Sequence, residues 1–261
     1  MKIAVTGKGG VGKTTVSAVL ARLYSQTGQK VLAVDADPDA NLASAIGFPE
    51  SEILKIQPLC SLSSLIEERT GARPGGAGGF FRMNPSVDDV ADRFGIQFEN
   101  IRLLSLGKPK PGGSGCYCPE GVFLKTLVTH LLLKKGEMLI LDMEAGIEHL
   151  GRGTARAVNA FLIVVEPGKR SLQTARDIRQ LALDLGISES FLVANKVRNP
   201  EDKEFIQSQL PDFEIIGFLP FSWELVEADS KGESPFSSCR ETVAGIEKIK
   251  KFLDARLAAR Q

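Results

Sequence analysis

Gly7-Lys8-Gly9-Gly10-Val11-Gly12-Lys13-Thr14 has the G-x-x-x-x-G-K-[ST] spacing of a phosphate-binding loop. Glycines at such spacing let successive backbone N–H groups turn inward around phosphate oxygens. The helix that follows adds the positive end of its dipole. Lys13 is expected on the β- and γ-phosphates of ATP, and the Thr14 hydroxyl on Mg²⁺. The candidate nucleotide-binding residues are therefore Gly9, Gly10, Val11, Gly12, Lys13, Thr14 and Thr15. Carboxylates end two further apolar runs: Asp35, Asp37 and Asp39 follow Val31 to Val34, and Asp142 follows Met138 to Leu141. Acids so placed can position the waters of a metal and orient an attacking water. Asp142 at the end of its run has the Walker B arrangement, holding Mg²⁺ through water.

Cys116 and Cys118 are two apart, flanked by Gly113, Gly115 and Pro119. A disulfide between them would be strained, because the ring is tight. In extended chain their side chains point to one side, so two thiolates can grip one soft or borderline metal. Two sulfurs half fill a site, and a symmetric dimer with this loop on its twofold axis supplies four. Four thiolates suit Zn²⁺, Ni²⁺ or an iron–sulfur cluster, and the residues do not choose among them. Cys60 and Cys239 have no partner nearby in sequence and are read as structural.

The elements that must carry these residues are legible as periodicity. Seven short Ile/Leu/Val-rich runs recur: Ile3 to Val5, Val31 to Val34, Ile101 to Leu106, Met138 to Leu141, Phe161 to Val165, Phe191 to Ala194 and Ile215 to Phe218. Such runs are expected of strands buried on both faces of a parallel sheet. Helical spacing lies between them, with stops at Gly28 and Gly186. The expectation is an α/β single domain over 1–261, a mostly parallel central sheet with helices on both faces. Residues 48–121 depart from the rhythm and read as an elaborated insertion carrying the Cys-x-Cys loop. The apolar C-terminal set Ile246, Ile249, Phe252, Leu253 and Leu257 reads as a helix docked on the sheet.

Composition excludes several classes. Thirty-two Lys+Arg balance 32 Asp+Glu in 261 residues, so no net field recruits nucleic acid or anionic lipid, and neither partner is expected. No stretch approaches the length of a membrane-spanning helix. Four cysteines are too few for a disulfide scaffold, and Met1 to Val5 has no signal-peptide layout, so a cytoplasmic location is expected.

Lys8 makes the loop unusual. A second lysine at this point marks the deviant Walker A motif, and the chain resembles the MinD, ParA and nitrogenase iron protein superfamily. That resemblance implies a homodimer in which Lys8 reaches the partner's phosphates, with Lys8, Lys13 and Asp37 serving hydrolysis. It implies Thr14, Asp35 and Asp142 around Mg²⁺ and the Gly146 N–H on the γ-phosphate. Asn195 and Lys196, with Pro220 in the loop closing over the base, would meet adenine. His130 and His149 are read as structural.

The cysteine pair and the segment Glu144-Ala145-Gly146-Ile147-Glu148-His149 are similar to the CooC group. Leu65 to Gly71 and Asn84-Pro85 are similar to it too. That likeness implies a nickel-inserting ATPase, with Ni²⁺ or Zn²⁺ on Cys116 and Cys118 of both chains. Its client would be apo carbon monoxide dehydrogenase or acetyl-CoA synthase. Two other readings stand beside it, an iron–sulfur cluster carrier and a positioning ATPase like MinD or ParA.

Overall fold

Period-two burial explains the architecture. Ile3 and Val5 point to one side of their strand and Ala4 to the other, and all three are fully buried. The same alternation separates Val31 and Ala33 from Leu32 and Val34, and Leu162 and Val164 from Phe161 and Ile163. A sheet apolar on both faces must be covered on both, and helices do so here.

The computed structural model describes residues 1–74, 80–107, 119–133, 137–144, 158–187 and 189–258. Among these, eight strands form one sheet: β1 (Lys2–Thr6), β2 (Val31–Ala36), β3 (Ile96–Phe98), β4 (Ile101–Ser105), β5 (Met138–Met143), β6 (Ala160–Val165), β7 (Ser190–Val197) and β8 (Glu214–Pro220). Their order is β3-β4-β2-β5-β1-β6-β7-β8. Every pairing is parallel except β3 with β4.

All seven expected runs are strands. The eighth, β3, is a three-residue hairpin arm that turns into β4 through Glu99, held at φ 50°. So short a piece carries too few residues to show a period. The stretch 48–121 thus contributes two strands to the sheet as well as short helices.

The helices are α1 (Lys13–Gln26), α2 (Leu42–Ile46), α3 (Glu50–Ile53), α4 (Ser63–Thr70), α5 (Val90–Phe94), α6 (Pro119–Leu133), α7 (Lys169–Asp184), α8 (Pro200–Gln209), α9 (Trp223–Lys231), α10 (Pro235–Ser238) and α11 (Arg240–Ala258). Helices α1, α2 and α11 cover one face through residues such as Val16, Leu20, Leu42, Ile246 and Leu253. Helices α4, α6, α7 and α8 cover the other through Ile66, Phe123, Leu127, Leu172 and Ile206. The apolar face of α11 is therefore spent on the sheet. No helix among the described residues is long and apolar enough to cross a membrane.

Parallel strands have one consequence for chemistry. The C-terminal ends of β1, β2, β5, β6, β7 and β8 open on the same edge of the sheet, where ligands bind in open α/β folds. That edge collects the loop after β1, the acids after β2 and within β5, and Asn195 in β7.

Candidate nucleotide site

The loop after β1 wraps tightly before α1 starts. Gly7 is at φ 149° and a Cβ there would lie 2.3 Å from the Val164 carbonyl oxygen. Gly12 is at φ 95°, and a Cβ there would lie 2.2 Å from the Asn195 amide nitrogen. Both positions thus need glycine for conformation and for space. Helix α1 begins at Lys13 with no side-chain cap and no acid in its first turn. Its N-terminal dipole is left for an anionic ligand.

Lys13 is almost fully buried and points its ammonium at Asp37, 3.6 Å from Oδ2. The Thr14 hydroxyl donates to Asp142 Oδ2 at 2.7 Å, and the Ser17 hydroxyl donates to Oδ1 at 2.9 Å. Asp142 is fully buried. Burial pushes its carboxyl up to about 6, against the two hydroxyls and Lys13. Asp35 sits beside it, in register across β2 and β5. Burial is also the main cause raising Asp35, to about 7, and the neighbouring Asp142 charge adds to it.

Two buried carboxyls held above their ordinary range beside a free-ended helix mark a place that a cation would relieve. A Mg²⁺ ion fits this donor set, and the Thr14 hydroxyl and Asp142 are the residues that would hold it. Among the described residues no three His, Cys, Asp or Glu side chains gather in a ready-made metal cage. Phosphate oxygens and water would have to complete the shell, as is usual for Mg²⁺.

Asp35 is differently engaged. Its Oδ2 accepts from the Leu42 amide at 3.0 Å and its Oδ1 from the Asp37 amide at 3.2 Å. The side chain expected beside magnesium thus braces the loop that carries Asp37. Asn195, expected at adenine, donates its amide to the Val11 carbonyl at 2.8 Å. Lys196 adopts φ 56° and donates to the Gly10 carbonyl at 2.6 Å. Both β7 side chains therefore brace the phosphate loop.

Gly9, Gly10, Gly12, Lys13, Thr14, Thr15, Asp37, Asn195, Lys196 and Pro220 line one cavity of about 730 Å³. Val11 is fully buried, and Lys8, next to Gly9 in the loop, pairs with Glu166. The far wall comes from Phe221, Leu225 and Val226, with Asp229, Glu233 and Pro235 around them. An apolar slot next to a phosphate cradle suits a base and a triphosphate. Gly146, His149, Cys116 and Cys118 lie outside the described residues. His130 stands 3.3 Å from Asp88, on a different part of the surface.

Three contributors escape a reading of the sequence. Ser17 had a signal, being one helical turn after Thr14 on the same face. Glu166 had one also, as an acid directly after the run that became β6. The wall from α9 had none, because it depends on how the chain returns after β8.

Comparison with known proteins agrees with a nucleotide-binding fold. The family model for the CobQ/CobB/MinD/ParA nucleotide binding domain matches residues 2–236. The carbon monoxide dehydrogenase accessory protein CooC of Rhodospirillum rubrum is 48% identical over 244 residues, 92% of each chain. An ATP-binding protein of Methanocaldococcus jannaschii is 46% identical over 97% of each chain. Among solved structures, a ParA family ATPase from Chlorobium tepidum matches with TM-score 0.66 and 19% identity, over 94% of this chain and 95% of that one. MinD of Pyrococcus horikoshii, solved with Mg-ADP, matches with TM-score 0.65 and 20% identity, over 97% and 96%.

Proposed function

Because this chain belongs to the CobQ/CobB/MinD/ParA nucleotide-binding family and is an ATP-binding P-loop ATPase of CooC type, we propose that it delivers nickel to carbon monoxide dehydrogenase or the related acetyl-CoA synthase. The observation that carries this reading is the 48% identity to CooC over 92% of both chains, in a sequence that also holds Cys116-Tyr117-Cys118.

The chemistry assigns each residue a task. Backbone amides of Gly9 to Thr15 bind the triphosphate, and Lys13 leaves Asp37 to neutralise the β- and γ-phosphates. Thr14 and Asp142 orient Mg²⁺, which supplies charge neutralisation when bound. Asp37, released from Lys13, orients a water for in-line attack on the γ-phosphorus. As that bond forms, the bond to the β,γ-bridging oxygen breaks, giving ADP and inorganic phosphate. Lys8 of one chain would reach the other's phosphates, so hydrolysis needs a homodimer. Asn195, Lys196 and Pro220 flank the base, and the Gly146 amide meets the γ-phosphate.

Nickel is cargo in this scheme. Cys116 and Cys118 of both chains form a four-thiolate site at the dimer interface. ATP can move the metal only by binding the closed and open dimers differently, and so changing the thiolate geometry.

Client activation tests the reading. Apo carbon monoxide dehydrogenase made without accessory proteins is incubated with Ni²⁺, Mg-ATP and this chain. Activation that requires both the chain and hydrolysable ATP is expected. Activation by Ni²⁺ alone at the same rate would contradict the delivery role.

A further inference from the structure

Every lysine at the phosphate loop is paired with a carboxylate of its own chain. Asp37 holds Lys13, as described. The second case involves Glu166, which none of the family roles above uses.

Glu166 directly follows β6. Strand β6 lies beside β1 with Thr6 opposite Ile163, so the chain after Thr6 runs alongside the chain after Ile163. Gly7 leaves no room for a side chain beside the Val164 carbonyl, so the two segments lie close there. The Glu166 backbone is fixed at the entry to α7, where its amide donates to the Ser171 hydroxyl at 3.1 Å. Its carboxylate then reaches two lysines. Oε2 lies 3.4 Å from Lys196 Nζ, and Oε1 lies 4.0 Å from Lys8 Nζ. Lys196 is anchored in turn to the Gly10 carbonyl. Among the described residues no second side-chain anchor holds Lys8, and its side chain is 39% exposed.

We infer that Glu166 is a positioning residue that holds Lys8 against its own chain and so raises the threshold for Lys8 to engage a partner's phosphate. This rests on the proposed action of Lys8 in trans. In the single chain the carboxylate stands where phosphate charge would otherwise be sought. On dimer closure the Lys8 ammonium exchanges Glu166 for a triphosphate of higher charge, and Glu166 keeps Lys196. The pair is partly exposed, so the hold is weak, worth up to about five-fold per lysine. A weak hold suits a lysine that must let go in every cycle.

Sedimentation in the presence of a non-hydrolysable ATP analogue and Mg²⁺ gives the dimer dissociation constant. For Glu166→Gln it should fall about three- to ten-fold, since two lysines are released per dimer. ADP affinity, which reports the intact loop, should stay within about two-fold. In a Lys8→Ala background the Glu166→Gln change should vanish. The wild-type to Glu166→Gln difference should also shrink between about 0.05 M and 0.5 M salt, where screening already loosens the pair. A dissociation constant that is unchanged or higher at low salt overturns the inference, as does a shift that persists in Lys8→Ala. Those results leave the dimer reading standing. A wild-type chain that stays monomeric with the analogue removes the dimer reading and the inference with it.

Discussion

Asp35 and Asp142 face each other in register at the ends of neighbouring parallel strands, both buried, and bind entirely different partners. Asp142 accepts from the Thr14 and Ser17 hydroxyls of the helix behind the phosphate loop. Asp35 accepts from two backbone amides of the loop that carries Asp37. One acid ties the start of the helix after the phosphate loop to the sheet, and the other shapes the segment that carries Asp37. Burial holds both carboxyls above the ordinary aspartate range, and the Asp142 charge adds to the rise at Asp35.

That burial gives a pH dependence. An unfolded aspartate titrates near 4, whereas burial raises Asp35 to about 7 and Asp142 to about 6. Between these values the native chain holds protons that the unfolded chain has released. Unfolding free energy should therefore fall as pH climbs from about 4 to about 7, then level off. Urea unfolding at pH 5.5 and 7.5 should show the nucleotide-free chain more stable at the lower value. Mg-ADP should reduce the difference, because the metal replaces the protons. Stability that rises over this interval without ligand would show that these two carboxyls are ionised in the native state.

Lys13→Ala should lower ATP turnover by about two to three orders of magnitude, the scale of losing a preorganised charge at the transferring phosphoryl group. Steady-state phosphate release measures it. Turnover close to wild type would overturn the assignment of this loop.

Gly12→Ala places a methyl in a left-handed residue and within 2.2 Å of the Asn195 amide nitrogen. The conformation alone costs about 1–2 kcal/mol. Displacing Asn195 also removes its hydrogen bond to the Val11 carbonyl. Weaker nucleotide binding with a lower melting temperature is expected, read by calorimetry and thermal unfolding. Gly9→Ala, where a Cβ meets nothing within 4 Å, is the matched control and should leave melting nearly unchanged.

Lys8→Ala should impair hydrolysis that depends on protein concentration while leaving ADP affinity within about two-fold. Lys8 is outside the group that lines the cavity and pairs with Glu166. Turnover per chain measured across a dilution series separates the two effects. Hydrolysis unaltered by the substitution would refute action in trans.

Much of this arrangement is legible in the sequence, for physical reasons. Strands buried on both faces appear as unbroken apolar runs, so all seven were visible; β3, with three residues, had no period to show. The phosphate loop is local, its glycines dictated by backbone conformation within eight residues. Asp142 could be placed because it ends such a run.

What stayed hidden depends on contacts distant in the chain. An acid at a strand end does not show in sequence which backbone amides it braces, as Asp35 does at Leu42 and Asp37. An asparagine at a strand end does not show in sequence that it also braces a turn, as Asn195 does at the Val11 carbonyl while lining the cavity. Glu166 acquires meaning only when β6 is known to lie beside β1. Cys116, Cys118 and Gly146 fall outside the described residues, and their roles rest on the sequence.

The cysteine pair therefore decides the central claim. Under anaerobic conditions, the wild type and Cys116→Ala/Cys118→Ala are titrated with Ni²⁺ and with Zn²⁺, each with Mg²⁺ and a non-hydrolysable ATP analogue. Mass spectrometry of the native complexes counts metal per dimer. The account predicts one tightly bound ion per wild-type dimer and none in the double variant, with nucleotide binding intact in both. A bound iron–sulfur cluster, or no metal on a chain that still hydrolyses ATP, would contradict delivery of nickel.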